Sequence, residues 1–84
     1  MKYCYITFRS VTISQKGEGI LRRAGIPCLM QRTPRWMEEQ GCGYSLRIRQ
    51  TDAPKAALLL RQAGVGYRKI YLQRDTGTLE EMDL

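Results

Sequence analysis

The sequence predicts an α+β domain in which one helix–glycine–strand unit is used twice, with a further strand ahead of each copy. Three observations carry that expectation. Leu21-Arg22-Arg23-Ala24-Gly25-Ile26 and Leu60-Arg61-Gln62-Ala63-Gly64-Val65 repeat one another, and each is followed by a segment ending in Gln-Arg, at Gln31-Arg32 and Gln73-Arg74. Tyr3 to Phe8 and Tyr44 to Arg49 both alternate apolar with polar or aromatic side chains, the period of a half-buried strand. Each strand that precedes a copy must connect to it by a right-handed crossover, which leaves few compact arrangements.

The first strand spans Tyr3 to Phe8, with Cys4, Ile6 and Phe8 on one face and Tyr3, Tyr5 and Thr7 on the other. Ser10 or Thr12 caps a first helix whose stripe is Ile13, Gly17, Ile20, Leu21 and Ala24. Gly17 in that stripe predicts a close approach of helix to sheet. Gly25 and Gly64 fall just beyond the last apolar helical position, where a left-handed backbone ends many helices.

The second strand runs from about Ile26 to Gln31, and its inward set is either Cys28 and Met30 or Pro27 and Leu29. A turn-prone stretch, Thr33 to Gly43, leads to the third strand, where Tyr44, Leu46 and Ile48 face the helices and Ser45, Arg47 and Arg49 face away. Thr51 or Asp52 caps a second helix with Pro54 in its first turn and a stripe of Ala56, Leu59, Leu60 and Ala63. The fourth strand covers Tyr67 to Leu72, with Ile70 and Leu72 inward. These elements fit the ferredoxin-like βαββαβ plan, a four-stranded antiparallel sheet with two helices on one face. A single domain over residues 1–74 is expected, followed by an acidic, flexible tail at 75–84.

At 84 residues the chain has room for one thin core, burying about 60–65% of the surface its unfolded form exposes. Chemistry therefore has to sit near the surface, which favours a carrier or binding domain over a turnover enzyme. Lys and Arg number 14 against 8 Asp and Glu, a formal net charge of +6 that draws anionic partners. There is no histidine, so the usual neutral-pH base and commonest metal ligand are missing. The three cysteines, Cys4, Cys28 and Cys42, form no Cys-x-x-Cys pair and suggest neither a disulfide framework nor a zinc site. No cofactor or metal is expected. The N-terminus runs directly into strand-like sequence, and no segment reads as a signal peptide or a bilayer span, so a reducing, cytoplasmic location with no membrane partner is expected.

Two constellations can carry function. The first is Gln40-Gly41-Cys42-Gly43, preceded by Thr33-Pro34-Arg35. A cysteine between two glycines has no neighbouring side chains to pack with, and the context supplies exposure and close approach. The fold brings the start of the third strand beside the end of the first and the start of the first helix. Cys42 is thus expected near the N–H groups around Ser10 to Ile13, with Arg9, Arg32 and Arg35 at the same end. Helix N-termini and cations favour a thiolate, the nucleophilic form of cysteine. The alternative is an ordinary loop cysteine.

The second constellation is the sheet face away from the helices, bearing Tyr3, Tyr5, Ser45, Arg47, Arg49, Lys69 and Tyr71. Aromatics among cations on a sheet suggest stacked bases and held phosphates. Gly41-Cys42-Gly43-Tyr44 imitates an RNA-recognition core, but that register turns Leu46 and Ile48 outward and buries Arg47, which is too costly. A solvated face or a homodimer contact accounts for the same residues.

The runs Phe8-Arg9-Ser10, Ala24-Gly25-Ile26-Pro27, Thr33-Pro34-Arg35, Cys42-Gly43, Leu46-Arg47-Ile48 and Gln62-Ala63-Gly64-Val65 resemble the small bacterial family of selenium/sulfur carrier protein-like domains, over roughly residues 3 to 72. The most specific part of the likeness is Pro34-Arg35 followed after a short gap by Cys42-Gly43. The resemblance implies a chalcogen carrier with Cys42 as the carrying thiol, supported by Gly41, Gly43, Pro34, Arg35 and Ser10. Its partners would be a sulfur or selenium donor of the cysteine desulfurase type and an acceptor protein. The other functions considered are an anion- or nucleic-acid-binding module using the open face and a structural or regulatory partner domain.

Overall fold

The computed structural model describes residues 2–33, 43–74 and 79–82. Its elements are β1 (Tyr3–Phe8), α1 (Val11–Arg23), β2 (Cys28–Arg32), β3 (Tyr44–Arg49), a single 3-10 turn (Gln50–Asp52), α2 (Ala53–Gln62), β4 (Ile70–Gln73) and β5 (Leu79–Met82). The strands form one antiparallel sheet in the order β2-β3-β1-β4-β5. The sheet thus has five strands where the sequence predicts four.

The fifth strand lies inside the segment read as a tail. It pairs with β4, Ile70 opposite Met82 and Gln73 opposite Leu79. Leu79-Glu80-Glu81-Met82 lacks strand alternation, and its partners hold it instead. Met82 packs against the core, Arg74 Nε donates to Glu80 Oε2 across 2.7 Å, and Lys69 Nζ stands 3.4 Å from Glu81 Oε1.

One core joins both helices to one face of the sheet. Cys4, Ile6 and Phe8 from β1, Leu46 and Ile48 from β3, and Ile70 and Leu72 from β4 meet Leu21 of α1 and Ala53, Ala56, Ala57 and Leu60 of α2. Ala63, expected in the stripe of α2, is exposed, and Ala53 and Ala57 take its place. On β2 the inward pair is Cys28 and Met30, while Leu29 is 47% exposed on the other face. The sequence could not settle this register because both alternative sets, Cys28 with Met30 and Pro27 with Leu29, are apolar. Packing against α1 does.

Gly17 is fully enclosed, and a Cβ built there would stand 3.2 Å from Phe8 Cζ and 3.4 Å from Leu60 Cδ2. The expected close approach is real. Ser14, one turn earlier, is buried as well, its hydroxyl donating to the Val11 carbonyl across 2.8 Å.

The repeated Leu-Arg-x-Ala-Gly-Ile/Val is a helix-ending device used twice. In the first copy Gly25 has φ +80°, its N–H donates to Arg22 O across 3.0 Å, and the Ile26 N–H donates to Leu21 O across 2.9 Å. In the second, Gly64 has φ +72°, its N–H donates to Arg61 O, and the Val65 N–H donates to Leu60 O. These paired bonds define the Schellman motif, which also brings the residue after the glycine onto the last buried leucine. Leu21, Ile26, Leu60 and Val65 are accordingly all buried.

At the start of α1, Ser10 is the N-cap, its Oγ accepting from Ile13 N across 3.3 Å. Asp52 occupies the N-cap position of α2 without capping through its side chain. Its carboxylate accepts from Arg49 Nε across 2.9 Å instead.

Strand β4 begins at Ile70, three residues later than expected. Upstream of it the Arg68 N–H donates to Thr7 O and the Lys69 N–H donates to Thr7 Oγ1. Two residues therefore oppose one, the count of a β-bulge.

Candidate functional site

Chemistry-bearing residues gather at one end of the sheet. The register sets Phe8 opposite Tyr44 and Tyr44 opposite Arg32, so the end of β1, the start of β3 and the end of β2 lie side by side. Ser10 and the first turn of α1 follow directly from β1, and that turn carries no acidic residue. Arg9 and Arg32 belong to the same end, as the sequence predicts.

Beyond the last pair of β2 and β3, the Thr33 N–H donates to Gly43 O across 3.0 Å. This bond closes the base of the segment that carries Cys42. Cys42, Gly41, Pro34 and Arg35 themselves lie outside the described residues. Gly43 and Ser10, the other two residues expected to support Cys42, are among the described residues: Gly43 is buried at the entrance to β3 and Ser10 is the N-cap of α1.

Two further hydroxyls mark this end of the sheet. Thr33 and Ser45 are 5% and 0% exposed, and Thr33 Oγ1 and Ser45 Oγ have no hydrogen-bond partner among the described residues. The sequence places Ser45 on an open face, yet that face is closed at this end, since Thr7, paired with Ser45, is buried too. No spacing rule in the sequence signals this.

The other two cysteines are strand residues on the core face. Cys4 is fully buried with its Sγ 3.7 Å from Met82 Sδ, and burial pushes its thiol pKa up. Cys28 is half-buried and its thiol is also raised, burial outweighing the Arg22 guanidinium, which lowers it, while Glu18 raises it further. A thiolate is disfavoured at both positions.

The open face brings Tyr3, Tyr5, Arg47 and Tyr71 together, Tyr5 standing opposite Arg47 on one side and Tyr71 on the other. Its polar groups are engaged with one another. The Arg47 guanidinium lies 4.5 Å from the Tyr3 ring centroid, and the Tyr5 hydroxyl donates to Gln73 Oε1 across 3.3 Å. Arg49 is held by Asp52 and Lys69 by Glu81. A nucleic-acid strand would have to displace these contacts before stacking on the rings.

No helix among the described residues is long and apolar enough to cross a membrane. Nor do the described residues contain a group of three or more His, Cys, Asp or Glu side chains able to hold a metal ion.

Searches of curated proteins and of solved structures returned no match to this chain. The model of the family described as "Putative Se/S carrier protein-like" matches residues 3–72, from the first residue of β1 to the core residue Leu72 of β4, and the chain belongs to that family.

Proposed function

We propose that this domain is a carrier that holds sulfur or selenium on Cys42 as a persulfide or its selenium counterpart, and passes it on without turning over a substrate of its own. The observation that carries the reading is the fate of the other thiols. Cys4 and Cys28 are built into strands on the core side, with their pKa values raised by burial. Cys42 is the remaining cysteine, and Thr33 and Gly43 anchor its segment at the end of the sheet where α1 begins. The sheet order β2-β3-β1-β4 also agrees with the ferredoxin-like plan, extended by β5 at one edge.

The chemistry is thiol exchange. The Cys42 thiolate attacks the terminal sulfur of a donor persulfide, the donor S–S bond breaks, and the donor leaves as a thiolate with the electron pair. Cys42 then bears the terminal S–H. An acceptor thiolate attacks that sulfur in turn and regenerates the Cys42 thiolate. No general base or metal is required, which accords with a chain lacking histidine. The donor would be a cysteine desulfurase-type protein acting in the cytoplasm.

The test is sulfur transfer from a desulfurase and labelled cysteine to the purified domain. Label should enter the native protein and be lost from Cys42→Ser, because a hydroxyl is not nucleophilic enough to replace a thiolate. Equal labelling of Cys42→Ser would remove the reading.

A further inference from the structure

We infer that the outer edge of β2 takes up an extended acidic and apolar segment of another protein as a further antiparallel strand. β2 ends the sheet, with β3 on its inner side and, among the described residues, no strand on its outer side. The Thr33 N–H donates to Gly43 O, so Gln31 and Leu29, at every second position back from Thr33, also turn their backbone groups toward β3. Cys28, Met30 and Arg32 turn theirs outward. Arg22 Nη2 already donates to the Cys28 carbonyl across 3.0 Å. The N–H and C=O groups of Met30 and Arg32 are left at the spacing that one more antiparallel strand requires.

The side chains on the two faces select the guest. Leu29 is 47% exposed on the face away from the helices, next to the exposed Pro27. With Tyr3 and Arg47 they line a cleft of about 270 Å³, below the usual size of a small-molecule site and suited to one apolar side chain. On the helix side Arg32 is exposed and has no ion pair or side-chain hydrogen bond among the described residues. Arg22 shares its charge with Glu18 at 3.5 Å, so Arg32 is the cation a guest meets. β2 itself contains no acidic residue. Residues opposite one another in a sheet share a face. An antiparallel guest therefore sets an Asp or Glu opposite Arg32 and, three residues later, a Leu or Val opposite Leu29.

A second copy of this chain fits the edge less well. Pairing β2 with itself about Met30 sets the Arg32 of each copy opposite the Cys28 whose carbonyl Arg22 holds in the other, and it joins two chains that each carry a net +6. An acidic guest has neither penalty. Strand addition draws its affinity from main-chain hydrogen bonds and its specificity from the flanking side chains, here Arg32 and Leu29. The edge is argued without Cys42, so its outcome leaves the carrier reading untouched.

The experiment is an NMR titration of the isotope-labelled full chain with the capped peptide Thr-Glu-Thr-Val-Leu-Thr, and in a second arm with Thr-Lys-Thr-Val-Leu-Thr. The acidic peptide should saturate, shift the Met30 and Arg32 amides most, and slow their exchange with solvent, while the amides of β5 at the opposite edge stay in place. The lysine peptide should bind about fivefold more weakly. Arg32→Glu should reverse the order of the two peptides, and Leu29→Ser should weaken both by about fivefold. Both substitutions fall at exposed positions, so the variants keep the fold. Shifts that bypass Met30 and Arg32, equal binding of the two peptides, or an unchanged order in Arg32→Glu would overturn the proposal and leave Arg32 as a charge that blunts the edge. Sedimentation of the chain alone should show a monomer, and self-association that the acidic peptide disperses would give the edge to a second copy and overturn the proposal as well.

Discussion

Thr33 and Gly43 are joined by a 3.0 Å bond from the Thr33 N–H to the Gly43 carbonyl, and both residues are buried. The segment bearing Cys42 therefore leaves and re-enters the sheet through a closed base. The Thr33 amide should exchange with solvent as slowly as the paired amides of β2, because opening it requires breaking strand pairing. Exchange as fast as that of an exposed loop would mean the base opens on its own.

The contrast between Gly17 and Gly19 tests how tightly α1 sits on the sheet. At Gly17 a Cβ would crowd Phe8 and Leu60, while at Gly19 its nearest neighbour is the Arg23 guanidinium at 3.9 Å. Gly17→Leu should lower stability by about 1–3 kcal/mol through overpacking. Gly19→Ala should instead raise it by as much as about 1 kcal/mol, the helix-propensity gain. Chemical denaturation reads both, and a neutral Gly17→Leu would mean the helix can move away.

The twofold use of Leu-Arg-x-Ala-Gly shows why so much of the fold could be read ahead of the structure. Gly25 and Gly64 end helices through bonds made within six residues, so the local sequence contains the whole device. The alternation of Cys4, Ile6 and Phe8 likewise states its burial directly. What escaped reading depends on distant partners. Strand β5 exists because β4 offers it an edge, and the bulge exists because the Thr7 hydroxyl accepts from a residue far along the chain. Neither leaves a periodic trace. At the candidate site, the converging strand ends and Arg9 were legible, whereas the closure at Thr33 and the buried Ser45 hydroxyl were not.

Leu46 and Arg47 are adjacent on β3 but belong to opposite faces. Leu46 is fully buried, and Arg47 stacks over Tyr3. Leu46→Asp should unfold the domain, since an ionised carboxylate in the core has no partner. Arg47→Asp should keep it folded at a loss of roughly 0.5–1 kcal/mol, the worth of an exposed cation–π contact. Circular dichroism during thermal melting distinguishes the two, and a folded Leu46→Asp protein would refute the register of β3.

Burial of Cys4 has a pH signature. Its folded thiol pKa lies above the ordinary value of 9.0, so above that pH the unfolded chain loses the proton more readily than the folded one. Stability is therefore full below about pH 9 and declines as pH rises through the folded pKa. Cys4→Ala loses core packing at every pH but should remove this part of the decline. Denaturation midpoints from pH 7 to 10 would show it, and parallel curves for the two proteins would contradict the assignment.

The carrier reading stands or falls on which sulfur is loaded. After incubation with a desulfurase and cysteine, the domain can be alkylated, digested and mapped by mass to find the cysteine bearing one extra sulfur. The account predicts that mass on the Cys42 peptide, with Cys4 and Cys28 unmodified, since burial raises both of their pKa values. Extra sulfur on Cys28 or Cys4 in place of Cys42, or on none of the three, would contradict it.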